Sequence, residues 1–274
     1  FMQLFETMVD VVSQGSVRRG RFAPYLPLEH ADANEFLDIG SEGNSIQELT
    51  HGITVSDAWM QEMIAGDEEK RCLWAKVIQR RNEMGYPYIL FNDTANNNTV
   101  DTYKENKLKI HASNLCTEIM LPSNDKWSFV CVLSSINLLH YDDWKDTDAL
   151  ETLVFFLDAV VTEFLQKLKV YRDSTAKDDK LMFTFMEKAY EFCKDNRALG
   201  LGVLGWHSLL QTNMLSWESR DAAKLNLEIF KLIKEKSYQA SIDLAKRFGE
   251  PNILTGYGRR NTTLNAIAPT TSSA

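Results

Sequence analysis

Cysteine is scarce in this chain: four residues, Cys72, Cys116, Cys131 and Cys193, lie at wide and unequal intervals among 274. That spacing argues against a secreted disulfide frame and reads as reduced intracellular thiols. Six prolines and 13 glycines are too few for a fibrous or low-complexity chain. No apolar run approaches the roughly 18 residues a membrane span requires. Positive charge is in deficit, with 30 Lys and Arg against 38 Asp and Glu and a net charge of −8. A broad phosphate-neutralising surface is thereby disfavoured, and no direct binding of DNA is expected. Phe1-Met2-Gln3-Leu4-Phe5-Glu6 lacks the basic segment and the small-residue cleavage site of a secretory signal. The five histidines, His30, His51, His111, His140 and His207, show no spacing that resembles a metal site. An acidic, cytoplasmic globular chain with no metal of its own is the expectation.

At roughly 150 residues per domain, 274 residues make one large domain or two small ones. Phe1, Leu4, Phe5, Met8, Val11 and Val12 form one helical stripe that starts without a cap. The other end, Pro269-Thr270-Thr271-Ser272-Ser273-Ala274, stops inside a polar loop, so the chain reads as an internal piece of something longer. Asp32 to Leu37 predicts a short helix. Ser56 caps a helix running to Gly66, and Asp67-Glu68-Glu69 opens another that ends by Gly85. Asn92 to Asn98 reads as a polar turn cluster, while Ile110 to Met120 and Ser128 to Leu133 alternate as strands do. The clearest helix is Asp148 to Leu168, with Leu150, Leu153, Val154, Leu157, Val160, Val161, Phe164 and Leu165 at helical spacing. Lys180 to Cys193 and Trp217 to Phe248 follow, the second stopped by Gly249 and Pro251. Helices alternating with short strands predict an α/β fold with a mainly parallel sheet or barrel.

The stretch with chemical content is Ser113-Asn114-Leu115-Cys116-Thr117-Glu118-Ile119. In an extended segment Asn114, Cys116 and Glu118 share one face, with Leu115 and Ile119 on the other. On a helix Cys116 would lie about 200° from Asn114. The extended reading gathers an amide to hold a hydroxyl, a thiol for the hard step and a carboxylate to move a proton. On spacing alone, a half-buried strand with an incidental cysteine stands as the alternative.

The Asn114-Leu115-Cys116-Thr117-Glu118-Ile119 run resembles the catalytic finger loop of the large (α) subunit of class I ribonucleotide reductases. Four other segments are similar to that family in the same order. Ser13-Gln14-Gly15-Ser16-Val17-Arg18 resembles its specificity loop, and Val130 to Leu138 its strand bearing a redox cysteine. Asn196-Arg197-Ala198-Leu199-Gly200-Leu201-Gly202-Val203 resembles its Arg-x-Leu-Gly-x-Gly-Val segment, and Asn261 to Ser273 its phosphate loop. Leu115 and Thr117 favour class I over the adenosylcobalamin-dependent branch.

The resemblance implies part of a ten-stranded α/β barrel with a central finger loop, both ends truncated. Residues 1–274 would form a single partial catalytic domain, with a specificity loop at 13–21, a finger loop at 113–119 and a phosphate loop at 269–274. Cys116 would be the thiyl radical that takes the ribose 3′ hydrogen, Glu118 the general base, and Asn114 the group that holds the ribose hydroxyls. Cys131 would be half of the dithiol that supplies two electrons. Thr270, Thr271, Ser272 and Ser273 would bind the substrate phosphates, and Gln14 and Arg18 would sense a nucleotide effector. The substrate would be a ribonucleoside diphosphate, reduced for deoxyribonucleotide biosynthesis and DNA replication. Required partners would be a radical-generating small (β) subunit with a dimetal centre, a second α subunit, and an external dithiol such as thioredoxin or glutaredoxin.

The family places the partner of Cys131 before Phe1, and a tyrosine pair and a cysteine tail after Ala274. The chain is therefore expected to need separate N- and C-terminal α fragments, and to be inactive alone. Cys72 and Cys193 read as structural thiols. A non-catalytic nucleotide-binding or assembly module derived from the same subunit is the alternative.

Overall fold

Residues 1–13 and 20–271 are described by the computed structural model. They sort into two units, Phe1–Thr99 with Lys107–Leu121, and Val100–Asn106 with Pro122–Ala274. The expected positions of Gln14 and Arg18 in the specificity loop, and of Ser272 and Ser273 in the phosphate loop, lie outside the described residues.

In the first unit, helix α1 (Met2–Val11) leads to strand β1 (Tyr25–Pro27) and a short helix α2 (Ala33–Phe36). Strand β2 (Gly52–Val55), helices α3 (Asp57–Ala65) and α4 (Glu68–Met84), strand β3 (Tyr88–Phe91) and helix α5 (Asn92–Asn97) follow. The helix ends are set locally. The Ser56 hydroxyl accepts from Trp59 N–H at 3.2 Å and Asp67 Oδ1 from Lys70 N–H at 3.0 Å. Gly66 and Gly85 close the same two helices in the left-handed conformation. The three strands pair in parallel in the order β1-β2-β3. Central β2 is buried along its whole length, which is why Gly-Ile-Thr-Val shows no alternation. Gly52 pairs with Tyr25, and a Cβ there would lie 2.3 Å from the Tyr25 ring. Leu28, Ile53, Val55, Trp59 and Val77 fill the core beside this sheet. On α1 the predicted stripe largely faces outward: Phe1, Leu4, Met8 and Val11 are exposed and Val9 is buried.

The second unit holds helix α6 (Asp101–Glu105), strand β4 (Leu133–Asn137), helices α7 (Tyr141–Trp144), α8 (Ala149–Asp173) and α9 (Lys177–Asn196), strand β5 (Gly200–Leu204), and helices α10 (Trp206–Thr212) and α11 (Arg220–Phe248). Strands β4 and β5 pair in parallel from Leu133↔Gly200 to Asn137↔Leu204. Helix α8 packs against both α9 and α11. It buries Leu150, Val154, Leu157, Val161 and Leu168 with one acid, Asp158, on the same stripe.

Three local expectations are corrected. Asn92–Asn97 is helical, with Asn96 Nδ2 donating back to Asn92 O at 2.8 Å, so side-chain amides support a turn of helix in the polar cluster. No strand forms over 110–120: the backbone there closes on itself at Asn114 and Ile119 and finds no neighbouring strand. Strand β4 begins at Leu133 rather than Ser128, because the ladder to β5 starts where Gly200 N–H donates to Val132 O. The described residues thus show an α/β fold with five strands in two parallel sheets.

Candidate active site

In the first unit the loop around Cys116 is a turn, not the expected extended strand. Asn114 N–H donates to Ile119 O at 3.1 Å, and Thr117 N–H donates to Asn114 O at 3.2 Å. The Asn114 Oδ1 accepts from Ile119 N–H at 3.0 Å, so this amide closes the loop with its oxygen and keeps its Nδ2 for other partners. Thr117 sits at φ 67°, a left-handed conformation unusual for a β-branched residue. This reversal, rather than strand alternation, places the residues flanking it.

Cys116 and Glu118 nonetheless stand close enough to interact. The Cys116 side chain is exposed. Partial burial pushes its thiol above the ordinary range and the nearby Glu118 carboxylate pushes it further, which keeps the sulfur protonated at neutral pH. Glu118 is half-buried, and its Oε2 is covered without any hydrogen-bond partner. A carboxylate oxygen denied both water and a protein donor is costly, and a ligand hydroxyl would satisfy it.

Two tyrosines that sequence reasoning did not single out stand by the loop, Tyr25 and Tyr88, and a third, Tyr86, packs on Tyr88. The Tyr25 hydroxyl meets Ser113 Oγ at 2.6 Å, immediately before Asn114. Tyr86 and Tyr88 are in edge-to-face contact, with ring centroids 5.2 Å apart. The Tyr88 phenol is pushed up to about 12, first by burial, then by its hydrogen bond with Tyr86, with smaller contributions from the Tyr86, Cys116 and Tyr25 charges. The only signal available beforehand was the Tyr86-Pro87-Tyr88 run itself, which carries no mechanistic spacing.

The second unit holds the other expected residues. Cys131 is half-buried two positions before β4. Its segment runs along α9, with Ser128 N–H donating to Lys188 O and the Trp127 ring set edge-on to Phe192. Cys193 is buried on α9, and burial pushes its thiol up to about 12, with Arg197 pulling it down and Cys131 adding to the rise. Thr270 is partly buried and Thr271 exposed. The stretch leading to them lies along β5, where Leu199 N–H donates to Thr263 O at 3.0 Å and Leu201 N–H to Leu264 O at 2.7 Å. Among the described residues no three His, Cys, Asp or Glu side chains stand together as a metal site, and no helix is long and apolar enough to cross a membrane.

A family model described as the ribonucleotide reductase barrel domain matches residues 1–71 and 66–253. The ribonucleoside-diphosphate reductase large subunit of Frog virus 3 is 34% identical over the whole of this chain and 50% of its own length. That of Invertebrate iridescent virus 3 is 34% identical over 74% of this chain and 30% of its own. Among solved structures, the class Id ribonucleotide reductase α subunit of Actinobacillus ureae superimposes with a TM-score of 0.90 at 51% identity. That match covers 99% of this chain and 49% of the other. The chain thus spans half or less of the length of these relatives. It belongs to the ribonucleotide reductase large-subunit family and carries the barrel-domain portion.

Proposed function

We propose that this chain carries the radical centre of a ribonucleoside-diphosphate reductase α subunit, an oxidoreductase forming deoxyribonucleoside diphosphates. The observation that carries the reading is the pairing of an exposed Cys116 thiol with Glu118, whose Oε2 is covered and unpartnered, on a loop that Asn114 closes. As a thiyl radical, Cys116 takes the 3′ hydrogen of the ribose, and Glu118 accepts the 3′-hydroxyl proton. Asn114 Nδ2 donates to the ribose hydroxyls and fixes the sugar. The 2′-hydroxyl then departs as water, two electrons come from a dithiol of which Cys131 is half, and Cys116 returns its hydrogen to the 3′ carbon.

In this reading Thr270, Thr271, Ser272 and Ser273 hold the diphosphate, and Gln14 and Arg18 sense the effector nucleotide. Both units belong to one catalytic domain, and their strands are part of a ten-stranded barrel with the finger loop at its centre. A dimetal β subunit supplies the radical, thioredoxin or glutaredoxin re-reduces the dithiol, and the N- and C-terminal parts of α complete the cytoplasmic enzyme. The exposed stripe of Phe1, Leu4, Met8 and Val11 on α1 is an apolar face for a second α subunit.

The test is deoxynucleotide formation by the full-length α chain with its radical partner. Cys116→Ser abolishes product while the variant still binds nucleoside diphosphate. Product formation unchanged by Cys116→Ser overturns the reading and favours a non-catalytic nucleotide-binding module.

A further inference from the structure

The Asn196 to Val203 segment takes no part in the chemistry above, yet it is among the most deeply buried stretches of the second unit. Arg197 explains why. Its backbone leaves α9 in a left-handed conformation, φ 45°, and its guanidinium turns onto α8. Arg197 Nε donates to Asp158 Oδ1 at 2.7 Å, and Nη2 donates to Asp158 O at 2.7 Å and to Thr162 Oγ1 at 2.6 Å. The remaining capacity of Asp158 goes to two neighbouring residues far along the chain. Oδ2 accepts from Arg260 Nε at 3.0 Å, and Oδ1 accepts from Asn261 Nδ2 at 3.0 Å.

Asp158 is only 3% exposed, so a single buried carboxylate faces two guanidiniums and an amide. Burial drives its carboxyl up, and Arg197 and Arg260 overrule that and hold it below the usual carboxylate range. Ser241 on α11 completes the cluster, accepting from Arg260 N–H and Asn261 N–H and donating to Asn261 Oδ1 at 2.8 Å.

Asn261 is the first residue of the stretch that leads to Thr270 and Thr271. Downstream of it the backbone is latched to the Arg197 segment bond by bond: Thr262 N–H to Asn196 O, Leu199 N–H to Thr263 O, Leu201 N–H to Leu264 O and Ala266 N–H to Leu201 O. At Gly202 a Cβ would lie 2.2 Å from Ala266 O, so only glycine admits this approach. An apolar pair would hold helices together at lower desolvation cost than this charged cluster. A buried ionic cluster has its best use where one register must be selected over its neighbours.

We infer that Asp158 is a positioning residue for the substrate diphosphate, setting through Arg197, Arg260 and Asn261 the register of the strand-like segment that delivers Thr270 and Thr271. The inference rests on the proposed reductase function. Asp158 acts at a distance and touches no substrate.

The experiment uses the full-length α subunit with its radical partner, cytidine diphosphate as substrate and inorganic pyrophosphate as competitive probe. Asp158→Asn keeps the shape and removes the charge. The KM for cytidine diphosphate and the Ki of pyrophosphate both rise about tenfold, because an anchoring group is displaced. The kcat stays within about threefold, since the Cys116 loop is untouched. Asp158→Glu restores part of the affinity. A folded Asp158→Asn with unchanged KM and Ki, or one that loses kcat at constant KM, overturns the inference. Should Asp158→Asn fail to fold, Ser241→Ala removes the hydroxyl hub without stranding a charge. The same rise in KM and Ki is expected there, and unchanged values overturn the proposal. Failure of the parent reading shows separately, as wild-type assembly that makes no deoxycytidine diphosphate, and it takes this inference with it.

Discussion

The Tyr25 hydroxyl and the Ser113 hydroxyl are joined at 2.6 Å across 88 residues of sequence. Ser113 Oγ also reaches Asn114 O at 3.0 Å, so with Tyr25 donating to Ser113 the serine proton is free to go on to that carbonyl. A strand of the first sheet thus holds the base of the Cys116 loop through a two-step relay. Tyr25→Phe removes the first step only. The expected loss is about 1 kcal/mol of unfolding free energy. Urea denaturation of the full-length chain checks it, and a midpoint identical to wild type would show that the relay contributes nothing.

Gly52 is the other half of that arrangement, since the Tyr25 ring occupies the space a Cβ would need. Gly52→Ala forces the ring or the strand to move in a fully buried β2. The cost is about 1–3 kcal/mol, in the range of overpacked cores. Combined with Tyr25→Ala, which clears the ring, the Gly52→Ala penalty shrinks in a double-mutant cycle of denaturation midpoints.

Asn114 closes the loop with Oδ1, and the proposed function gives its Nδ2 a second duty toward the ribose. Asn114→Asp keeps an acceptor for Ile119 N–H, removes the donor and adds a second charge beside Cys116. The variant folds with a near-native melting curve and loses turnover by about tenfold or more. Normal turnover with a disturbed melt would reverse the assignment.

The Cys116 thiol lies above its ordinary range because of partial burial and the Glu118 charge. Iodoacetamide reacts with thiolate, so alkylation of Cys116 at pH 7–8 is slow and accelerates with pH later than for an unperturbed thiol. Glu118→Gln removes the charge and moves that pH profile down. Peptide mass spectrometry of alkylation against pH reads the shift, and an unmoved profile would separate the two side chains.

His51 is 1% exposed with both ring nitrogens unpartnered, and burial lowers its pKa from 6.5 to about 4. The unfolded chain takes up a proton below about 6.5 and the folded chain does not until about 4. The unfolded state therefore binds more protons in that window, and stability falls as pH drops through it. At about 1.36 kcal/mol per pKa unit, the loss across the window is about 3 kcal/mol. His51→Phe, which cannot titrate, flattens this part of the stability profile in urea melts between pH 4 and 7.

Much of the scaffold was legible residue by residue. Helices α3 and α4 lie where their caps predicted, α9 extends three residues beyond its predicted span at each end, and α8 runs five residues beyond its predicted end at Leu168. The strand expected at Ile110 to Met120 was not found, because alternating polarity is also what a looped segment shows when its backbone bonds close locally. Asp158 interrupts the apolar stripe of α8 between Leu157 and Val161, and local spacing names no partner for it. A lone acid on a buried stripe was the available signal, since such a charge is retained only with partners.

By itself the sequence determined the longer helices, the capped ends of α3 and α4, the cysteine and carboxylate that carry the proposed chemistry, and the family to which the chain belongs. Those features rest on bonds within about four residues, as when Ser56 meets Trp59 or Asp67 meets Lys70, or on residue identity alone. Only the tertiary structure decided that the Cys116 loop is a turn hung from Tyr25, and that Asp158 joins Arg197 and Arg260. Those pairings span 39 to 102 residues, and no local pattern selects a partner at that separation. They form because a buried polar group must be satisfied by whichever partner the folded backbone brings within reach.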